Sequence, residues 1–197
     1  NRMDIAQALM RVMGDRLKGV YYKSETTLPF KADIDRGNGY ILGGPTDDTP
    51  LEYGMKMPVD WISGQKTGLF IDQRENRALV HQLAKGHRVL NCFGYTGGFS
   101  LAALRGGAEC VETVDISKKA VDMCNRNVAL NFGIEASHKG TVADVLQYIQ
   151  TIKQSSNQAF DFIILDPPAF AKNHRSLQQG LKGYRAINQR ALESLPS

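Results

Sequence analysis

Over the larger part of this chain, segments with two different patterns of hydrophobic and polar positions alternate. Short apolar runs are typical of strands covered on both faces, and apolar positions repeated every three or four residues are typical of helices. The predicted strands span 88–92, 110–114, 136–140 and 160–165, and the predicted helices span 73–85, 98–105, 117–131, 143–153 and 177–195. This alternation predicts a parallel sheet, whose ligands bind at the carboxyl ends of its strands.

The first third of the chain follows a different pattern. Its predicted elements are a helix over 3–18 that Gly19 ends and strands over 20–22, 40–42 and 55–62. Within the helix, Ile5 and Val12 share an apolar face. Gly, Pro, Asp and Thr are frequent over 24–50, which predicts a loop around the middle strand. We therefore interpret 1–63 as part of a small α+β domain in front of an α/β domain over 64–197.

Composition narrows the class of protein. With 197 residues, 42% hydrophobic and 22% charged, the chain is expected to form a packed core. No run approaches the roughly 20 apolar residues of a membrane-spanning helix, and no secretory signal is visible. The three cysteines form no CxxC pair, which argues against zinc and for a cytoplasmic setting. We expect Cys92 and Cys110 to be core residues, and we expect no membrane partner and no metal site.

The formal net charge of +4 is concentrated near the end of the chain. Beyond Asp166 the only acidic residue is Glu193, and the cations are Lys172, Arg175, Lys182, Arg185 and Arg190. A basic excess beside a ligand site suits a polyanionic substrate. A solvated basic helix face explains the same charges equally well.

A glycine-bearing turn over 91–100 connects a predicted strand to a predicted helix. Gly94, Gly97 and Gly98 permit positive φ and close approach of the backbone to a ligand. The helix N-terminus that follows favours a carboxylate or a phosphate. The spacing is not GxGxxG, which argues against NAD or FAD, and a purely structural turn is the alternative.

Acidic residues follow the next two predicted strands. Asp115 ends the second strand, where a carboxylate can accept hydrogen bonds from ribose hydroxyls. It could instead cap the helix that begins near Ser117. Asp144 opens the helix after the third strand, where it could accept from an adenine amino group or serve only the helix end.

An acidic-Pro-Pro-aromatic run directly follows the last predicted strand. Pro167 and Pro168 fix the backbone and remove N–H donors, so they can form a rigid wall at the mouth of a site. Phe170 can offer a ring face to a flat base. Asp166 completes this candidate site for a planar target.

The segment 64–74 precedes the first helix of the α/β domain. It superficially looks like a phosphate loop, but GxxxxGK[ST] is not satisfied and no strand leads into the helix, which argues against an NTPase. Lys66 or Arg74 could reach the carboxylate of a ligand. A surface hairpin of mixed charge is the alternative.

Together, the segment 65–74, the turn 91–100, Asp115 and the run 166–170 resemble the bacterial large-subunit rRNA (cytosine-5) methyltransferase family. Its members use S-adenosylmethionine (SAM) and combine a PUA domain, a central domain and a methyltransferase domain. The resemblance implies a Rossmann-like class I SAM-dependent methyltransferase fold over 64–197, preceded by part of the central, RNA-binding domain.

The resemblance also implies roles for individual residues. SAM would be bound by Phe93, Gly94, Tyr95, Thr96, Gly97, Gly98, Asp115, Ile116, Asp144, Asp166 and Arg74. Within this set, the glycines would line the methionine part, Asp115 the ribose and Asp144 the adenine. The target-base site would comprise Asp166, Pro167, Pro168 and Phe170.

The chain departs from that family in two respects. We expect the PUA domain to be missing at the start and the nucleophilic cysteine that adds to cytosine C6 in this family to lie beyond Ser197. The sequence is therefore expected to be truncated at both ends relative to the family. We predict 5-methylcytosine formation in large-subunit rRNA. The alternatives are a base-nitrogen (guanine or adenine) rRNA methyltransferase and a non-catalytic RNA-binding module with the same fold. RNA is the expected partner, and a homodimer is compatible with these features.

Overall fold

The chain divides into two compact units, 1–50 with 58–69 and 51–57 with 70–197. The computed structural model describes residues 2–23, 37–46, 49–62, 64, 68–154, 160–171 and 176–196. The smaller unit contains α1 (Arg2–Met13) and two antiparallel strands, β1 (Gly19–Tyr22) and β2 (Gly39–Gly43). Most of the loop predicted around the second of these strands lies outside the described residues.

The first helix differs from its prediction in length and in burial. It ends at Met13 rather than at residue 18, because Gly14 adopts a left-handed φ of 54°. The predicted apolar face is largely exposed, with Ile5 65% and Val12 79% accessible, and Ala6 is the buried residue of the helix.

Residues 51–57 form a hairpin that belongs to the larger unit. Its strands are β3 (Leu51–Glu52) and β4 (Met55–Lys56), joined by a two-residue turn in which Tyr53 has φ 49° and Gly54 φ 80°. The strand predicted over 55–62 is wrong beyond Lys56, and Pro58 has no N–H with which to extend it. The hairpin is tied to the larger unit because the Lys56 N–H donates to Asn131 Oδ1 at 2.8 Å. The predicted domain division at residue 63 therefore does not coincide with these compact units.

The larger unit is built on a four-stranded parallel sheet. Its elements after the hairpin are α2 (Arg74–Leu83), β5 (Arg88–Cys92), α3 (Gly98–Arg105), β6 (Cys110–Asp115), α4 (Lys118–Phe132), β7 (His138–Val142), α5 (Val145–Gln154), β8 (Phe162–Leu165) and α6 (Leu177–Ser194). The strand order is β7-β6-β5-β8, and neighbouring strands are parallel. The predicted alternation is confirmed, although two strands begin later than predicted, at His138 and Phe162.

Helices cover both faces of this sheet. Val89 and Leu90 are consecutive in β5 and fully buried, which explains why that strand is apolar at successive positions. Val89 packs with residues of α2 and α3, whereas Leu90 packs with residues of α5 and α6. Because β6 and β8 lie on opposite sides of β5, the topology switches there, and a ligand crevice is expected at the carboxyl ends of β5 and β8.

The described parts of the chain contain neither a membrane-spanning helix nor a cluster of metal-binding side chains. In those ranges no helix is both long enough and apolar enough to cross a membrane. Nor do they contain a group of three or more His, Cys, Asp or Glu side chains arranged to hold a metal ion.

Replacing Ile187 tests the packing of α6 on the sheet. Ile187 is fully buried, and Ile187→Ala should lower the free energy of unfolding by about 2–5 kcal/mol because it leaves a cavity. Leu192→Ala on the same helix is the matched control, since Leu192 is 70% exposed and its loss should change stability by less than about 0.5 kcal/mol. Urea unfolding measures both, and equal effects would contradict this packing.

Candidate cofactor-binding site

The turn between β5 and α3 has a strained backbone. Phe93 and Tyr95 adopt left-handed φ values of 58° and 47°, and Gly97 has φ 85°. Aromatic residues rarely occupy this region, and such strain persists only where surrounding contacts enforce it, often at functional sites. Gly97 is the residue before α3, and no side chain caps that helix. The N–H groups at the start of α3 therefore lack a capping acceptor and favour an anionic group.

Close packing beneath the turn explains two of its glycines. A Cβ on Gly94 would collide with the Thr113 side chain of β6, and a Cβ on Gly97 would collide with Cys124 Sγ of α4. The glycines were predicted to let a ligand approach the backbone. The structure adds that they let the turn rest on the sheet and α4.

A buried polar network supports the turn, and nothing in the sequence pattern indicated it. Asn91 Nδ2 donates to Ser100 Oγ at 2.8 Å, and Ser100 Oγ lies 2.6 Å from Thr113 Oγ1. Asn127, buried in α4, donates to the carbonyl oxygen of Thr96 at 2.9 Å. These bonds link the turn and α3 to β5, β6 and α4, so the backbone conformation of the turn is fixed by residues distant in sequence.

Asp115 lies at the carboxyl end of β6 and joins the turn directly. Its Oδ2 accepts from the Tyr95 N–H at 3.0 Å, and its Oδ1 accepts from the Ser117 N–H at 2.9 Å. The helix-capping residue of α4 is Ser117, whose Oγ accepts from the Ala120 N–H. The alternative role of Asp115 as the helix cap is therefore wrong. Each carboxylate oxygen retains a lone pair, so the group can still accept from ligand hydroxyls.

Other predicted cofactor residues are placed around this point. The Ala143 N–H donates to the Asp115 carbonyl oxygen at 3.0 Å, so the start of the segment that carries Asp144 lies beside Asp115. Asp144 is exposed, and its Oδ1 accepts from the Gln147 N–H at 3.0 Å, which is the helix-end role considered for it. Ile116, next to Asp115, is 74% exposed and offers apolar surface.

Arg74 lies in the first turn of α2, where its guanidinium stands 5.0 Å from the centre of the Tyr53 ring. This cation–π contact holds the exposed Arg74 side chain against the hairpin. Lys66, the other cation considered for a ligand carboxylate, lies outside the described residues.

The acidic-Pro-Pro-aromatic run begins beside the glycine turn, because Leu165 of β8 pairs with Cys92 of β5. Desolvation raises the pKa of Asp166 above its ordinary value, and the carboxylate of Asp72 raises it further. Phe170 packs on Tyr184 of α6, with ring centres 4.7 Å apart and an interplanar angle of 50°. Part of the Phe170 ring is therefore already covered by the protein.

None of the three cysteines has the character of a nucleophile. Cys92 and Cys124 are fully buried, and burial raises the pKa of Cys92 to about 12 and that of Cys124 to about 11. Burial also raises the pKa of Cys110. Cys110 is only half-buried, so its predicted place in the core is wrong, whereas the prediction that Cys92 is a core residue is confirmed. A thiol with a raised pKa carries little thiolate near neutral pH.

Comparison with known proteins identifies the family. Residues 28–196 match the family described as S-adenosylmethionine-dependent methyltransferase. The chain belongs to this family. Its fold is the Rossmann-like methyltransferase fold, and its cofactor is SAM, as the resemblance implied.

Relatives and solved structures agree with this assignment. Ribosomal RNA large subunit methyltransferase I of Erwinia tasmaniensis is 37% identical over 196 residues, which are 98% of this chain and 49% of that protein. The protein of the same name from Alteromonas mediterranea is 37% identical over 198 residues, covering 100% and 49%. The crystal structure of SMU.776 complexed with SAH matches with a TM-score of 0.80 at 30% identity, over 100% of this chain and 49% of that one. The chain spans about half the length of the curated relatives it matches.

Alanine substitutions at two glycines separate backbone strain from packing under the turn. Gly86 has φ 76° and open space around a Cβ, so Gly86→Ala should cost only the backbone strain of about 1–2 kcal/mol. Gly97→Ala should cost a further 1–3 kcal/mol or so in urea unfolding, because its Cβ meets Cys124.

The double variant Gly97→Ala/Cys124→Ala should recover part of that loss as a favourable coupling between the two sites. Equal stabilities of Gly97→Ala and Gly86→Ala, or strict additivity in the double variant, would show that the turn does not rest on α4 as described.

Proposed function

We propose that the chain is the SAM-binding part of an enzyme that methylates a base in large-subunit rRNA, with 5-methylcytosine as the product. The main support for this proposal is that the strained turn, Asp115 and the run from Asp166 to Phe170 meet at the carboxyl edge of one parallel sheet. The curated relatives are named as large-subunit rRNA methyltransferases, which supports RNA as the substrate.

In this proposal the cofactor lies across the carboxyl ends of β5 and β6. The turn from Phe93 to Gly98, with Tyr95 and Thr96, holds the methionine part, whose carboxylate faces the start of α3. Asp115 accepts from the ribose hydroxyls. The remaining contacts proposed for SAM come from Ile116 and Asp144 at the adenine, Arg74 at the carboxylate and Asp166 near the methyl group. When bound, SAM supplies a methyl group on a sulfonium, which is reactive toward nucleophiles.

One face of α6 supports an anionic substrate. Gln178, Lys182, Arg185 and Gln189 recur at helical spacing on one exposed side of this helix. Within the described part of the chain, no hydrogen bond or ion pair engages the side chain of Lys182 or Arg185. The opposite side of α6 is buried and carries Tyr184, which contacts Phe170. The helix that packs against Phe170 therefore presents a surface of basic and amide side chains. Such a surface is suited to contact with phosphates. Lys172 and Arg175 lie outside the described residues.

The proposal has two forms, which differ in whether the methyl group is transferred to cytosine C5 or to a base nitrogen. Methylation of cytosine C5 requires a thiolate that adds to C6. Because the chain's own cysteines are unsuitable, this chemistry needs a thiol from outside these 197 residues. Methylation of a base nitrogen needs no thiol, and the acidic-Pro-Pro-aromatic run with Asp166 can serve an amino group. The acidic-Pro-Pro-aromatic run is the observation that favours this second candidate.

Removal of the Asp115 carboxylate tests the cofactor site. Asp115→Ala should abolish the heat of SAM binding in calorimetry, because the acceptor for the ribose and for the Tyr95 N–H is lost. Asp122→Ala is the control, since Asp122 pairs with Lys118 on the surface of α4, and its loss should alter affinity by less than about twofold. Unchanged SAM affinity in Asp115→Ala would overturn the proposed site.

Nucleoside analysis tests the reaction. Mass spectrometry of large-subunit rRNA from a strain that lacks this protein should show the loss of one 5-methylcytidine relative to the parent strain. Loss of a methylated guanosine or adenosine instead would favour the base-nitrogen candidate. An unchanged set of modified nucleosides would contradict both, and RNA binding without methylation would then identify a non-catalytic module.

A further inference from the structure

Arg77 is a charged side chain in the interior of the larger unit, with only 3% of its surface accessible. Its Nε and Nη2 donate to the two carboxylate oxygens of Glu52, each at 2.6 Å, and its Nη1 donates to the carbonyl oxygen of Phe70 at 2.8 Å. Its aliphatic stem lies under Gly98, since a Cβ there would come within 3.2 Å of the Arg77 Cδ. One guanidinium therefore connects the β3–β4 hairpin, the segment before α2 and the start of α3.

The Phe70 end of this connection reaches the cofactor turn. The Phe70 ring lies edge-on to the Tyr95 ring, with centres 5.7 Å apart and an interplanar angle of 74°. Tyr95 is one of the two aromatic residues with a left-handed φ, and its N–H donates to Asp115 Oδ2. A contiguous set of contacts thus runs from Glu52 through Arg77, Phe70 and Tyr95 to Asp115.

We propose that the Glu52–Arg77 pair is a positioning device that fixes Phe70 and Gly98, and thereby holds Tyr95 in the conformation that presents its N–H to Asp115. The relevance of this device to SAM rests on the proposed cofactor role of Asp115. Because Arg77 is only 3% accessible, it acts through the neighbours that it holds in place.

The chemistry of the pair supports positioning over simple stabilisation. Buried ion pairs can often be replaced by apolar side chains of similar volume without loss of stability. The planar fork of arginine adds defined geometry, because it binds a carboxylate with two bonds and directs a further donor elsewhere. Here that further donor is used on the backbone of Phe70.

The key variant is the double substitution Glu52→Leu/Arg77→Met, which replaces both charged side chains with apolar ones and nearly keeps the core volume. Its thermal midpoint should stay near that of the unmodified chain. Hydrogen exchange at the Tyr95 amide should accelerate by about tenfold or more, the scale of one lost hydrogen bond to a charged group. The SAM dissociation constant should rise by a similar factor.

Two further variants keep the test decisive. Arg77→Lys retains one positive charge for Glu52, but its shorter side chain lacks the planar fork that also reaches Phe70. It should therefore accelerate Tyr95 exchange even if the double variant fails to fold. Tyr148→Phe is the control, because it removes a partly buried hydrogen bond to Glu112 on β6 and should leave Tyr95 exchange unchanged.

Native exchange at Tyr95 in both Arg77 variants would overturn the positioning role. This readout needs no ligand, so it is independent of the proposed function. Failure of the unmodified chain to bind SAM would instead count against the cofactor site. Faster exchange with unchanged SAM affinity would show that the device orders the turn without serving the cofactor, which would also overturn the inference.

Discussion

The left-handed backbone of the turn after β5 is the constraint on which the site depends. Phe93 and Tyr95 would not adopt these φ values in a free peptide, because their Cβ atoms crowd the backbone. Contacts with residues distant in sequence offset the free-energy cost of this backbone conformation. Asp115 accepts the Tyr95 N–H, Asn127 binds the Thr96 carbonyl, and Gly97 allows the turn to sit on α4. The conformation of the proposed cofactor site therefore depends on the whole α/β unit.

Sequence reasoning succeeded where a local pattern carries the information. Consecutive apolar residues such as Val89 and Leu90 identify a strand covered on both faces, and the parallel sheet follows from the alternation of such strands with helices. The same logic placed the glycine turn, Asp115 and the acidic-Pro-Pro-aromatic run at strand ends. Because parallel strands end at one edge, their convergence could be predicted without knowing any contact.

Features that depend on distant partners were not predictable in this way. Glu52 and Arg77 look like surface residues in sequence, and only the fold shows that each neutralises the other in the interior. The hairpin of residues 51–57 was missed because its strands are two residues long, too short for a period to appear. The apolar face of α1 was read correctly from its spacing, but spacing does not reveal whether a partner covers that face.

A crystal structure of the chain with S-adenosylhomocysteine, the demethylated product of SAM, tests the cofactor site most directly. We expect the amino-acid part of the ligand against the turn from Phe93 to Gly98 and the start of α3. Both ribose hydroxyls should lie within hydrogen-bond distance of Asp115, with the Tyr95 N–H still donating to that carboxylate. A ligand bound away from the turn, or a ribose that makes no contact with Asp115, would contradict the site derived from the fold.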